Sequence, residues 1–146
     1  IMAIIHAALR ETLEGHSELT TVLTGGIFDA DNLDRQGLRP DTPTLYSGHL
    51  LKPCAVIRWR GAAQFRPHYA AEKRNFEIYF YQDSGNTSIE EALRLTKKLL
   101  HRAQLEADNG GLWWVNWVSD SGEFTASEMG GASAVFSRYE VIYLRE

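Results

Sequence analysis

An α+β domain, a mostly antiparallel sheet with two helices packed on one face and a long turn-rich arm, is what this sequence predicts. Three observations predict it. Apolar and polar residues alternate in four segments that come in two pairs, Pro53–Arg60 with Asn75–Gln82 and Leu112–Ser119 with Ala134–Leu144. Helical spacing of apolar residues precedes the first pair and separates it from the second. Between about Asp29 and Lys52 no period is visible. The order helix, short helix, strand pair, long helix, strand pair places helices against one face of an antiparallel sheet.

The leading helix is expected from about Ala3 to Glu14, where Ile5, Ala8, Leu9, Thr12 and Leu13 form one stripe and Gly15 stops it. Ser17 is placed to cap a short second turn carrying Leu19, Val22 and Leu23, which Gly25-Gly26 ends. Ile27-Phe28-Asp29 reads as a short extended piece. Residues 29–52 hold Asp29, Asp31, Asn32, Asp34, Gly37, Pro40, Asp41 and Pro43, all turn formers, and read as a binding arm. In the first strand pair Ile57 and Trp59 share a face with Phe76, Ile78 and Phe80. Arg58, Arg60, Tyr79 and Tyr81 take the other, as do Trp114 and Arg138 in the second pair. The connection from Gly61 to Arg74 is too long for a tight turn. The long helix is expected from Ile89 to Glu106, with capping-box patterns at Thr87-x-x-Glu90 and Ser88-x-x-Glu91. Its stripe is Ile89, Ala92, Leu93, Thr96, Leu99, Leu100 and Ala103. Trp113 and Trp117 are expected in the core; Trp114 points the opposite way and is expected to serve assembly.

Length bounds the answer. A chain of 146 residues is expected to be one domain, 1–146, large enough for a core without staples. Lys plus Arg number 15 against 19 Asp plus Glu, and this acidic balance argues against a general nucleic-acid binder. Neither a spanning apolar run nor a signal-peptide pattern is visible, so no membrane partner is expected. The single cysteine, Cys54, excludes an internal disulfide and fits a reducing compartment.

No motif assembles into a catalytic constellation, and no enzyme, metal or cofactor is expected. Asp83-Ser84-Gly85 and Asp120-Ser121-Gly122 match the tripeptide of an aspartic-protease dyad, but each stands where a strand must turn. Asp29-x-Asp31-x-Leu33 opens like a calcium loop and fails at its third ligand. The five histidines are dispersed, and the glycine pairs lack the Gly-Lys-Ser/Thr of a phosphate loop. Cys54 lacks an evident partner base and reads as a small core residue.

Charge is distributed unevenly. Arg58, Arg60, Arg66, Lys73 and Arg74 against Glu72 make residues 58–74 net +4. From 106 to 137 no Lys or Arg occurs, and Glu106, Asp108, Asp120, Glu123 and Glu128 give −5. With Trp114, these residues are the candidate subunit interface, since a head-to-tail contact needs two different matching surfaces. Ordinary solvated surface is the alternative.

The layout resembles the tail-terminator, or tail-completion, proteins of long-tailed bacteriophages. The residues that carry the resemblance are Leu9 and Leu13, Val22-Leu23-Thr24-Gly25-Gly26-Ile27-Phe28-Asp29, the Pro53 strand, Phe76-Glu77-Ile78-Tyr79-Phe80, Glu91-Ala92 with Lys97-x-Leu99-Leu100, and Tyr139-Glu140-Val141-Ile142-Tyr143. The tryptophans at 113, 114 and 117 and the connection after Gly61 belong to no signature of that family. The resemblance implies a virion protein at the head–tail junction, assembled in the host cytoplasm. It implies a homohexameric ring that caps the tail tube, stops its polymerisation and meets the head connector or stopper. DNA would pass its lumen without specific binding. A head-closure or minor tail protein, or a small enzymatic or ligand-binding domain, stays open as the alternative.

Overall fold

Alternating apolar residues dominate the architecture, and in the computed structural model they build a seven-stranded sheet, beside which two short strands form a separate pair. It describes residues 9–29, 46–47, 50–64, 71–83, 87–101, 103–106, 112–126 and 132–144. In chain order these form α1 (residues 9–14), α2 (Ser17–Val22), β1 (Gly26–Asp29), β2 (Tyr46–Ser47), β3 (Leu50–Leu51), β4 (Cys54–Gln64) and β5 (Ala71–Gln82). Then follow α3 (Thr87–Leu100), β6 (Ala103–Glu106), β7 (Leu112–Asp120), β8 (Phe124–Ala126) and β9 (Ala132–Leu144).

The sheet runs β1-β4-β5-β9-β7-β6, with β8 also paired to β9. Only β1 is parallel to its neighbour, β4; the rest is antiparallel, as alternation on one buried face requires. Three helical segments lie on one face. Leu9, Leu13, Leu19 and Leu23 join Ile89, Ala92, Leu95 and Leu100 over Ala55, Ile57, Phe76, Ile78, Phe80, Val115, Val135, Tyr139 and Val141. Aromatic contacts run across the strands of this face: Phe76 lies 4.9 Å from Trp59 and 5.4 Å from Tyr139, centroid to centroid. Trp117 is half-buried and packs at the margin of this core.

Several boundaries differ from the sequence reading. The cap of α2 is His16, whose Nδ1 accepts from the Leu19 N–H at 3.3 Å, and not Ser17. The chain then comes so close to β4 that a Cβ on Gly25 would stand 3.0 Å from the Pro53 carbonyl oxygen, and Gly26 takes φ +100°. Of the loop expected from Gly61 to Arg74, residues 61–64 and 71–74 are strand: β4 and β5 run on past a register break between Trp59 and Ala62, and residues 65–70 lie outside the described residues. The expected helix to Glu106 stops at Leu100, and Ala103–Glu106 pairs with β7 instead. The start of α3 is held from outside, because Gln82 Oε1 accepts from the N–H groups of Ser88 and Ile89. Leu95 belongs to the buried stripe of α3, which the sequence reading omitted. Within the arm, Tyr46 pairs with Leu51 and Ser47 with Leu50, so 46–51 contains a two-stranded hairpin rather than aperiodic chain. The remainder of the arm, the part of the expected leading helix before residue 9, and Asn109-Gly110-Gly111 lie outside the described residues.

Candidate functional site

Register decides which charges meet on the face of the sheet opposite the helices. Arg58 pairs with Glu77 across β4–β5, and Glu77 pairs with Arg138 across β5–β9, so three strands set these residues in one row. Glu77 is 2% exposed. Its Oε1 accepts from Arg60 Nε at 2.7 Å, with Arg60 Nη2 also in contact, and its Oε2 accepts from Arg138 Nη2 at 2.8 Å and Nε at 3.1 Å. Burial works against the ionised carboxylate, but hydrogen bonds from Arg138 and Arg60 outweigh it and hold Glu77 below the usual carboxylate range. Both arginine side chains are about half exposed, at 52% for Arg60 and 46% for Arg138.

Aromatic rings flank this row. Tyr79 stacks on Phe136 at 5.0 Å, and Phe124 meets both edge-on at 6.4 and 6.2 Å. The Arg58 guanidinium lies 5.4 Å from the Tyr79 ring centre, and that of Arg138 lies 5.9 Å from Phe136. Tyr81 lies on this face as expected, yet it is fully buried beside Tyr79 and offers no surface.

A second carboxylate sits on the helix-covered side. The β7 register shifts between Trp117 and Ser119, which turns Asp120 towards α3. Its Oδ1 accepts from Trp117 Nε1 at 2.9 Å and Ser137 Oγ at 2.7 Å, and its Oδ2 accepts from Lys97 Nζ at 2.7 Å. Burial disfavours its charge, but the bonds from Lys97, Trp117 and Ser137 prevail, so its pKa is lowered. Ser121 completes the join, donating its N–H to the Phe136 carbonyl and accepting from the Phe136 N–H. The second Asp-Ser-Gly is therefore a stitch between β7 and β9. Asp83 follows Gln82, which pairs with Ser133, whereas Asp120 pairs with Ser137 on the far side of β9. Those positions do not bring the two aspartates into contact, which a shared proton requires. Ser84 and Gly85 lie outside the described residues. Cys54 is buried, and burial pushes its thiol up to about 12, the behaviour of an inert core cysteine.

The sequence-predicted interface residues do not collect on one surface. Arg58 and Arg60 stand on the face opposite the helices, with Lys73 pairing there with Glu140 at 3.5 Å. Arg74 is on the covered face, its guanidinium 5.4 Å from the Trp59 ring centre. Asp120 is consumed by Lys97, Trp117 and Ser137, and Glu123 is exposed just before β8. Glu106 ends β6, and Trp114 pairs with Ile142 in the β7–β9 register. Arg66, Asp108 and Glu128 lie outside the described residues. Sequence reasoning missed Glu77 and the role of Arg138 as its partner. Strand parity alone put both on the Arg58 face, and that was the available signal.

The described residues contain no group of three or more His, Cys, Asp or Glu placed to hold a metal, and no helix long and apolar enough to cross a membrane. Shallow, open depressions between α2 and α3, lined by residues such as Thr21, Val22 and Glu91, gather no set of convergent ionisable groups. The site is thus a charged and aromatic patch on the sheet face opposite the helices, beside a stretch of that face where Cys54, Val56, Tyr81 and Ala134 are buried.

That fold is also found in a virion. One chain in the virion of a native gene transfer agent particle superposes with a TM-score of 0.69 at 12% identity, covering 94% of this chain and 92% of that one. A second solved chain, which carries no functional name, matches with a TM-score of 0.58 at 12% identity over 100% of this chain and 96% of its own. At such identity the likeness is one of fold. No protein-family profile and no curated protein matches the sequence.

Proposed function

We propose that this chain is a structural protein of a tailed, phage-like virion and acts as a tail terminator. A ring of copies would cap the finished tail tube, stop its growth and offer its other side to the head connector. The observation that carries this reading is the near end-to-end fold likeness to a chain in a virion, over more than nine-tenths of both chains. The leading-helix, Gly-Gly and hairpin–helix–hairpin order of the sequence agrees with it. The mechanism is geometric: one ring face copies the end of the tube while the other refuses a further tube ring. No catalysis or cofactor belongs to this reading.

Electron microscopy of the purified protein tests it. Rings of uniform diameter are expected, and adding them to growing tail tubes should halt elongation and leave a cap on one end. A protein that stays monomeric at high concentration and leaves tube growth unchanged would overturn it. Rings that bind the head connector but ignore the tube would move the chain to the neck, as a head-closure protein.

A further inference from the structure

We infer that Arg58, Arg60 and Arg138 form a preorganised receptor for an acidic segment of a partner protein, with Glu77 as the internal anion that fixes the arginines. This inference stands independently of whether the chain forms a ring. Glu77 engages Nε and Nη2 of Arg60 and of Arg138, one arginine on each oxygen. A guanidinium carries five N–H donors in a rigid fork, so each arginine retains donors at Nη1 while the buried carboxylate locks its orientation. Holding a long side chain in its bound geometry removes much of the entropy that recognition otherwise loses. Arg58, the third cation of the row, has no carboxylate partner among the described residues and rests on the Tyr79 ring.

Charge selects the kind of occupant. These three arginines against Glu77 are net +2, on a chain whose formal charge is −4. An anionic segment is therefore drawn to this row and repelled by the molecule as a whole. Arginine forks match carboxylates in paired hydrogen bonds, and the half-buried Tyr79, Phe136 and Phe124 supply apolar contact beside them. A long nucleic acid fits less well. It needs a basic stripe that follows its phosphates, and the net acidic chain opposes a polyanion beyond a compact three-cation cluster.

The test uses a fluorescein-labelled octaglutamate peptide, with octaglutamine as control, read by anisotropy at about 50 mM salt and again at about 300 mM. Octaglutamate should bind at low salt and weaken on adding salt, while octaglutamine should not bind. Arg58→Gln, which removes the charge without setting a second carboxylate opposite Glu77, should lower the affinity several-fold and leave the unfolding midpoint nearly unchanged. Lys98→Gln, the same charge change on the exposed side of α3, should alter the affinity much less. Equal losses in the two variants would reduce the effect to net charge and overturn the inference, as would absence of octaglutamate binding. Tighter, Arg58-dependent binding of a duplex oligonucleotide would reassign the row to nucleic acid. Self-association lost in Arg58→Gln without peptide binding would reassign it to a second copy. Rings seen in the same preparation without peptide binding would sink this inference alone and leave the terminator reading standing.

Discussion

Glu77 and Asp120 set the same problem on the two faces of one sheet, and each face solves it differently. On the covered face, Asp120 takes its donors from three places, α3 through Lys97, β7 through Trp117 and β9 through Ser137. The acid is a tie between elements, and its partners keep little for anything outside. On the opposite face, Glu77 takes its donors from neighbouring strands, through arginines that are half in solvent. Removing Asp120 loosens a helix from the sheet, whereas removing Glu77 releases two side chains. Burial of a carboxylate can thus serve the fold on one side and arrange a surface on the other.

The largest effect should come from the apolar part of the covered face. Phe76→Ala removes a fully buried ring between Trp59 and Tyr139 and should cost about 3–5 kcal/mol in urea unfolding. Next is Asp120→Asn, which weakens charge-assisted bonds to three elements and should cost about 2 kcal/mol. Glu77→Gln keeps the shape and leaves its arginines to water, so about 1 kcal/mol is expected. A larger loss for Glu77→Gln than for Asp120→Asn would invert the comparison.

Acid sharpens the same contrast. Both carboxyls are held below their unfolded values, so each stabilises the fold fully above about pH 4. That contribution should fade as the pH drops through the lowered folded values. Unfolding free energy measured from about pH 6 down to 2 should therefore fall for the parent, and fall less steeply for either variant. Parallel acid profiles for parent and Asp120→Asn would remove the linkage. Smallest of all is Arg94→Gln, which breaks an exposed pair with Glu91 one turn back on α3. It should leave the melting temperature unchanged within reproducibility.

Local pattern carried much of the fold and little of the site. The alternation in Cys54–Arg60, Phe76–Gln82 and Val135–Tyr143 is visible because one face of each strand is apolar, and the structure keeps those faces. Ala103–Glu106 was read as helix because Ala, Gln, Leu and Glu all favour helix; pairing with β7, a tertiary event, decides otherwise. Phe124–Ala126 is too short, and too close to Gly and Ser, to announce a strand. The Glu77–Arg138 bond joins residues 61 positions apart, and no local rule reports it. Asp120-Ser121-Gly122 was legible as a turn, while the three donors on Asp120 follow from a register shift that only the folded sheet defines.

Among the described residues both margins of the sheet are short. The strand β1 covers only Cys54–Ile57 of β4, and β6 covers only Leu112–Val115 of β7. Where β6 ends, the Trp117 N–H is taken by His101 Nδ1 at 3.1 Å, and where β1 ends, β4 breaks register before Ala62. Abbreviated margins, a side-chain plug and a bulge are devices that keep one sheet from templating another. For a chain proposed to end a polymer, this amounts to a built-in refusal to propagate. In the proposed ring, such margins would favour contacts through side-chain surfaces over backbone ladders, which would extend without limit.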